Sequence, residues 1–284
     1  MAPFELVVPA TEDEALAALA EGPPGTVAAL AGGTDLLLDL DERRAEPRRL
    51  VSLRRLPWRS HVWEAGGLVV GSTEPLAALE ADVELRRRLP ALARAVAAVG
   101  SPALREQATF GGNLGRAAPA SDLTPVLLAL DADVELVAPG RTRRLPVDRF
   151  LRASRETALE RAELVRSVRF PETRPSSSYL WQRVRPANDI SQIGVAVAFS
   201  PGADRWRVSL GGVPPRPLLV DAVARELHGP RPNEREVAAA SGILASHPAL
   251  VTDRRATDEH RRRLASALLA RAVAASLAPA GGTG

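Results

Sequence analysis

Hydrophobic and polar positions along the first part of the chain alternate between short β-type runs and one helix-type run. The pattern predicts a strand at 4–8 and a helix that begins after Thr11. Glu14 stands in the capping-box position of that helix, three residues after Thr11. Two more strands are predicted at 26–31 and 50–53. These elements predict a small βαββ unit that ends near residue 56.

The next part of the chain predicts two hairpins and three helices, the first of which is short and capped by Ser72 or Thr73. Gly66–Gly67 lies between β-rich runs and predicts one hairpin turn, and Pro139–Gly140 predicts the other. An apolar helix at 89–99 is followed by Gly100, a residue type that commonly ends helices. Ser121 or Asp122 caps a second apolar helix. A strand that ends near residue 171 completes this unit.

The last part predicts a sheet with helices packed on it. A linker is predicted at 172–178, followed by three strand-like runs at 179–184, 192–199 and 206–210. Two or three helices follow, with capping residues at Asn233 and Thr257. The expected fold class is therefore α+β. The expected units are residues 1–56, 57–171 and 177–284.

Composition excludes several kinds of site. The 284 residues contain no cysteine, which excludes disulfides, thiol catalysis and iron–sulfur ligation within this chain. The four histidines are far apart and predict no metal site. All basic side chains are arginine, so neither a Schiff base nor a P-loop lysine is available. No apolar run reaches the roughly 18 residues of a membrane helix, and the acidic N-terminus does not resemble a signal peptide. We expect a cytoplasmic protein.

The calculated pI of about 10.5 raises the alternative of a nucleic-acid-binding protein. The formal net charge is only +3, however, and acidic residues are interspersed among the arginines. Runs such as "ELRRRLP" are typical of solvated helix faces. One tyrosine and five phenylalanines offer little surface on which bases could stack. Neither the charge pattern nor any motif favours this alternative.

Two glycine pairs, Gly32–Gly33 and Gly111–Gly112, follow β-type runs and precede small polar side chains. Backbone N–H groups of such glycines can converge in a nest that binds phosphate without a cationic side chain. Two adjacent nests would flank a pyrophosphate, and Asp122 would be available to a ribose hydroxyl. The alternative is that both pairs are tight turns between strands. Neither pair matches the G-x-G-x-x-G fingerprint.

Six segments in order along the chain resemble one known family. They are "LAGGTDLL", "LVVGSTEPLAAL", "LREQATFGGNLGRAAPASDLTPVLLALDADVEL", "RVRPANDISQIGVAVAF", "VSLGGVPPRP" and "ATDEHRRRLASALLARAV". The family is the FAD-binding (medium) subunit of molybdenum hydroxylases, of the xanthine dehydrogenase and carbon monoxide dehydrogenase type. The T-x-G-G-N…A-x-P-x-S-D-L-x-P string is the most specific element.

The resemblance implies a two-lobed FAD-binding fold of the vanillyl-alcohol-oxidase (PCMH) type with a C-terminal three-stranded sheet and helices. It implies FAD as cofactor, Asp122 on the ADP-ribose side, and Val99 and Leu164 packed near the flavin ring. It implies no catalytic side chain and no metal ligand in this chain. The residues expected to cradle the FAD diphosphate are Ala31, Gly32, Gly33, Thr34, Asp35, Leu36, Thr109, Phe110, Gly111, Gly112 and Asn113.

The resemblance also implies an oxidoreductase that works with partners. These are a small subunit with [2Fe–2S] clusters and a large molybdopterin subunit, with electrons leaving to NAD⁺, oxygen or a quinone. The alternative is a self-contained flavin-dependent oxidoreductase of the same fold, which would need an acid or base beside the ring. Many relatives carry a lysine near the flavin where this chain has Trp181, Gln182 and Arg183. Either Arg183 or Arg185 supplies that charge, or both arginines face solvent from a strand.

Overall fold

The computed structural model describes residues 3–171, 176–185 and 189–278. The chain begins with a three-stranded parallel sheet of order β1-β3-β2. Its capping box is confirmed, because Thr11 Oγ1 accepts the Glu14 N–H and the Glu14 carboxylate accepts the Thr11 N–H. The helix α2, which the sequence pattern did not predict, follows the first glycine pair. The elements are β1 (Glu5–Val7), α1 (Glu12–Ala20), β2 (Val27–Leu30), α2 (Leu36–Asp41) and β3 (Arg49–Ser52).

A five-stranded antiparallel sheet of order β4-β5-β10-β6-β7 follows. Both predicted hairpins are confirmed, since β4 pairs with β5 across Gly66 and β6 pairs with β7 across Pro139–Gly140. The strands of this region are β4 (His61–Glu64), β5 (Gly67–Gly71), β6 (Asp133–Ala138), β7 (Arg141–Pro146), β8 (Leu151–Ala153), β9 (Glu156–Thr157) and β10 (Leu164–Pro171). The short strands β8 and β9 form a separate hairpin.

Helices between β5 and β10 cover this second sheet. They are α3 (Leu76–Ala81), α4 (Val83–Arg88), α5 (Pro90–Ala98), α6 (Pro102–Arg105), α7 (Phe110–Arg116), α8 (Leu123–Ala129) and α9 (Val147–Phe150). Gly100 follows α5 with a φ of +54°, in agreement with its expected role at the end of that helix. One buried cluster joins Val70 and Val134 of the second sheet to Leu92 of α5 and Val126 of α8. Helices α5 and α8 also contact the third sheet, so they form a layer between two sheets.

The third sheet has four strands, which corrects the expectation of three. The added strand is only two residues long, too short to leave a sequence pattern. The strands are β11 (Ser176–Gln182), β12 (Ile193–Ser200), β13 (Arg205–Gly211) and β14 (Leu218–Leu219). The end of the predicted linker, residues 176–178, belongs to β11. Residues 172–175 of that linker lie outside the described residues.

Both faces of the third sheet are buried. Along β12, Ala196 and Ala198 face the α5–α8 layer, whereas Val195, Val197 and Phe199 pack against the C-terminal helices. This alternation follows from the two-residue period of a strand. The C-terminal helices are α10 (Asp221–Ala224), α11 (Glu234–Ala245) and α12 (Asp258–Leu277). The predicted caps at Asn233 and Thr257 are confirmed. Among the described residues, no helix combines the length and apolar character needed to span a membrane.

Candidate cofactor-binding cleft

A cleft with a volume of about 310 Å³ lies where the segment after β2 meets the start of α7. We refer to it as the glycine cleft. Twelve of the fourteen residues predicted for the site line it, and the exceptions are Phe110 and Asp122. The lining residues are Ala29, Ala31, Gly32, Gly33, Thr34, Asp35, Leu36, Leu53, Ser72, Val99, Leu104, Ala108, Thr109, Gly111, Gly112, Asn113, Gly115, Arg116, Leu159, Leu164 and Val165.

The first glycine segment is the part of the cleft with free backbone donors. Gly33 has a φ of +76°, which turns the chain from β2 into α2. A Cβ on Gly32 would overlap the carbonyl oxygen of Gln107 and lie 2.9 Å from its carbonyl carbon. The N–H groups of Gly32, Gly33 and Thr34 have no acceptor within the described part of the chain. Three consecutive free donors in a concave turn are the arrangement that binds an anion.

The second glycine segment is a helix start rather than a loop, which corrects the sequence-based expectation. Thr109 is the N-cap of α7, and its hydroxyl accepts the Gly112 N–H at 3.2 Å. The Phe110 N–H donates to the Glu74 carbonyl, and the Gly111 N–H donates to the Ser72 carbonyl, both at 2.9 Å. These amides therefore already have protein acceptors. The two glycine segments do lie side by side as expected, since a Cβ on Gly112 would be 3.6 Å from that of Ala31.

Arg116 is a cleft residue that the sequence analysis missed. Its guanidinium donates two hydrogen bonds to the carboxylate of Asp39 on α2, of which the Nη2–Oδ1 distance is 3.0 Å. The hydrogen bond from Arg116 holds the pKa of Asp39 below its usual value, with help from Arg44. The Nε atom of Arg116 also lies 3.6 Å from the Asp35 carboxylate. Arg116 follows Gly112 by four residues, so the spacing would have placed both on one helix face had α7 been predicted.

The cleft also has an apolar part. Val99 and Leu164, the two residues predicted to pack near a flavin ring, both line it. Leu104, Leu159 and Val165 line it as well, and no motif in the sequence had indicated them. Phe110 instead points into the core, where it is fully buried and its ring makes an edge contact with Phe170 at 6.3 Å.

Asp122 is not among the residues that line the cleft, although the hydroxyl of its neighbour Ser121 donates to the cleft residue Asn113 at 2.7 Å. Its buried carboxylate accepts hydrogen bonds from the Tyr179 hydroxyl and the Ser191 hydroxyl, both at 2.7 Å, and from Arg183 at 2.6 Å. Burial raises the pKa of Asp122, and the neighbouring Arg183 opposes that shift. The interpretation that both arginines face solvent is wrong for Arg183, whose side chain is 7% exposed. Arg185 does face solvent, with a side chain that is 72% exposed, but it lies beyond the end of β11 rather than in a strand.

Two family models together match nearly the whole chain. Residues 2–173 match the FAD binding domain in molybdopterin dehydrogenase, and residues 178–276 match the CO dehydrogenase flavoprotein C-terminal domain. The chain is 28% identical over 281 residues to the xanthine dehydrogenase FAD-binding subunit of Escherichia coli O157:H7, covering 96% of each protein. It is 30% identical over 278 residues to the caffeine dehydrogenase subunit beta of Pseudomonas sp. (strain CBB1), covering 95% of this chain and 94% of that protein.

Solved structures agree with these matches. A chain in the crystal structure of the Cu,Mo-CO dehydrogenase in its cyanide-inactivated form superposes with a TM-score of 0.89 at 25% sequence identity. The match covers 98% of this chain and 100% of that chain. The expected α+β, PCMH-type FAD-binding fold is thereby confirmed, with four strands in its C-terminal sheet. The chain belongs to the family of FAD-binding subunits of molybdenum hydroxylases, so it is an oxidoreductase flavoprotein subunit and its cofactor is FAD.

Proposed function

We propose that this chain is the electron-transfer subunit of a molybdenum-containing dehydrogenase. It receives electrons from [2Fe–2S] clusters on a small partner subunit and delivers them to an external acceptor. Hydroxylation of the substrate takes place on a large molybdopterin subunit. The observation that carries the proposal is the glycine cleft, which offers three free backbone donors but almost no titratable side chain. FAD, when bound, supplies the redox chemistry, and the protein supplies binding and orientation.

The cleft residues fit a dinucleotide that carries a diphosphate. The free N–H groups of Gly32, Gly33 and Thr34 suit the diphosphate oxygens. Arg116 is paired with Asp39 and also lies 3.6 Å from the Asp35 carboxylate, so it offers no unpaired positive charge to the cleft. Diphosphate recognition therefore rests mainly on backbone dipoles. The apolar side chains of Val99 and Leu164 suit an aromatic ring system.

The composition of the cleft favours electron transfer over self-contained substrate chemistry. Asp35 and Arg116 are the only titratable residues in its described lining. Arg116 is held by Asp39, and the Asp35 side chain is 56% exposed. Neither is a buried, unpaired acid or base, which proton transfer at a ring would require. The absence of cysteine requires that any iron–sulfur cluster be bound by another chain.

The proposed units, residues 1–56, 57–171 and 177–284, each contain one of the three main sheets. The glycine cleft takes residues from the first two units. In this proposal those two units bind FAD and the third buttresses them through the α5–α8 layer.

A glycine inside the cleft provides a direct test. Gly115 lies on α7 and lines the cleft, and a Cβ at this position would meet no atom within 4 Å. Gly115→Leu therefore fills cleft space without disturbing the core. Gly242→Leu is the matched control, because Gly242 also lies in a helix with no atom within 4 Å of an added Cβ. We expect Gly115→Leu to lose bound FAD and Gly242→Leu to keep it.

The electron-transfer role is tested in the holoenzyme, purified by co-expression of this chain with the proposed small [2Fe–2S] subunit and large molybdopterin subunit. With Gly115→Leu, substrate should still bleach the iron–sulfur absorbance, whereas reduction of the external acceptor should stop. Normal acceptor reduction by a flavin-free holoenzyme would overturn the proposal. Turnover of a small substrate by the isolated wild-type chain would support the self-contained alternative instead.

A further inference from the structure

Two buried arginines hold consecutive carbonyl groups at the end of α5. Arg183, from the end of β11, donates to the Ala98 carbonyl at 2.8 Å. Arg105, from α6, donates to the Val99 carbonyl at 2.9 Å. Their side chains are only 7% and 6% exposed. The two carbonyls belong to the last turn of α5, where intrahelical donors run out and cationic side chains are favourable partners.

Each arginine is itself fixed by a carboxylate. Arg105 forms a two-point ion pair with Glu80, at 2.6 and 2.8 Å. Arg183 pairs with Asp122 at 2.6 Å, and its Nε donates to Ser191 at 3.2 Å. Planar guanidinium groups held at two points have few alternative positions. The two carbonyls are therefore held from two directions, one within the helical layer and one from the third sheet.

The turn that these arginines hold forms part of the cleft wall. Val99 lines the glycine cleft, and so does Leu104 of α6, five residues further along the chain. Between them, Gly100 has a φ of +54°, and a Cβ on it would lie 2.6 Å from Leu104 Cδ2. A displacement of the Ala98 and Val99 carbonyls therefore displaces both apolar side chains. No atom of Arg105 or Arg183 needs to enter the cleft for this effect.

We propose that Arg105 and Arg183 are positioning residues for FAD that act through Val99 and Leu104. The inference deepens the proposed function and rests on FAD occupying the glycine cleft. In this arrangement the third sheet contributes to FAD binding through Arg183, although none of its residues lines the described cleft. It also assigns a role to Asp122, which is to hold Arg183 rather than to touch the cofactor.

The test compares FAD binding by Arg183→Gln, Arg105→Gln and Arg183→Lys with that of the wild-type chain. FAD affinity is measured by titration of the apoprotein, and visible circular dichroism is recorded at saturating FAD. We expect Arg183→Gln and Arg105→Gln each to weaken FAD binding by about tenfold, the order expected for loss of a charged hydrogen bond. Arg183→Lys should recover part of the affinity. The visible circular dichroism should change, because it reports the surroundings of the bound ring.

Arg207 provides a matched control. It lies on β13, donates to the Leu128 carbonyl at 3.1 Å and pairs with Asp131 at 3.0 Å. It thus also joins the third sheet to the end of a helix, but Leu128 does not line the glycine cleft. We expect Arg207→Gln to lower the melting temperature while leaving FAD affinity and visible circular dichroism unchanged.

A double variant separates positioning from general stability. Arg183→Gln leaves Asp122 buried without its cation, and a second change, Asp122→Asn, removes that charge. We expect the double variant to regain melting temperature but not FAD affinity, because the hydrogen bond to the Ala98 carbonyl stays lost. Recovery of affinity along with stability would overturn the inference, as would equal weakening by Arg207→Gln. A wild-type chain that binds no FAD would instead refute the proposed function.

Discussion

Replacement of Gly32 by alanine tests whether close backbone packing shapes the cleft. An added Cβ would lie 2.9 Å from the carbonyl carbon of Gln107 and 3.2 Å from Ala108 Cα, and closer still to the Gln107 oxygen. Ordinary contacts between carbon atoms are about 3.5–4.0 Å. Because the Gln107 oxygen is the nearest atom, the two backbone segments must separate by more than about 1 Å, and neither offers a flexible side chain that could yield.

Overpacking in other proteins lowers the free energy of unfolding by about 1–3 kcal/mol, and we expect a cost in this range for the separation. For a domain of this size, about 2 kcal/mol lowers the melting temperature by roughly 4–8 °C. The separation also moves the free N–H groups of Gly32 and Gly33 away from the start of α7. Wild-type protein should gain about 2.7 kcal/mol of stability from FAD at one hundred times its dissociation constant. This gain should shrink in Gly32→Ala.

Thermal unfolding of the apoprotein, with and without FAD, measures both effects. Gly115→Ala is the companion variant, because Gly115 lies in α7 and its Cβ would meet open space. Alanine in place of glycine in a helix stabilises by roughly 0.5–1 kcal/mol, so the melting temperature of the apoprotein should rise. The reasoning is refuted if Gly32→Ala melts like the wild type and retains its full stabilisation by FAD.

Three further predictions concern the rest of the fold. Burial raises the pKa of Asp253, but the Arg261 guanidinium, 2.7 Å from its carboxylate, and hydrogen bonds from Arg255 outweigh that effect and keep this pKa far below its usual value. The stability contributed by Asp253 is therefore complete above the usual carboxyl pKa and is lost as the pH falls. In Asp253→Asn, the melting temperature should decrease less at acidic pH than it does in the wild-type protein. Phe110→Ala should lower the free energy of unfolding by about 3–5 kcal/mol in urea titrations, because its ring is fully buried. Tyr179→Phe removes the hydroxyl that donates to Asp122 and should cost about 1–2 kcal/mol in the same assay, whereas no loss would show that this hydrogen bond contributes nothing.

The order of elements and most of the cleft could be predicted from sequence because local patterns report them. Capping boxes at Thr11 and Asn233 and the turn glycines act over three or four residues, so their signal is local. The backbone freedom of glycine predicts Gly32 and Gly33 as site residues, and both line the cleft. The four-stranded third sheet was undercounted because β14 contributes only two residues, Leu218–Leu219.

Helix α7 shows why the rest could not be predicted. Its sequence, FGGNLGR, contains three glycines, each costly in a helix interior, and its glycine pair follows the β-type dipeptide Thr109–Phe110. Its helical form is supported by contacts distant in sequence: the Gly111 N–H donates to Ser72, and a Cβ on Gly111 would lie 2.7 Å from Ser72 Cα. Glycine is thus required here for close packing as well as for backbone freedom. Propensity alone cannot distinguish these two requirements.

The same distinction assigns different roles to the two glycine pairs. The first pair exposes unpaired donors, whereas the second brings α7 so close to Ser72 that its first amides find protein acceptors. An anion in the cleft would then bind chiefly to the Gly32–Thr34 turn, with the dipoles of α7 adding favourable potential from beside it. Gly32 packs on Gln107, which lies shortly before α7. The Gly32–Thr34 turn therefore cannot move unless the start of α7 moves with it. Affinity for FAD should therefore depend on the packing between these segments as much as on any group that contacts the cofactor.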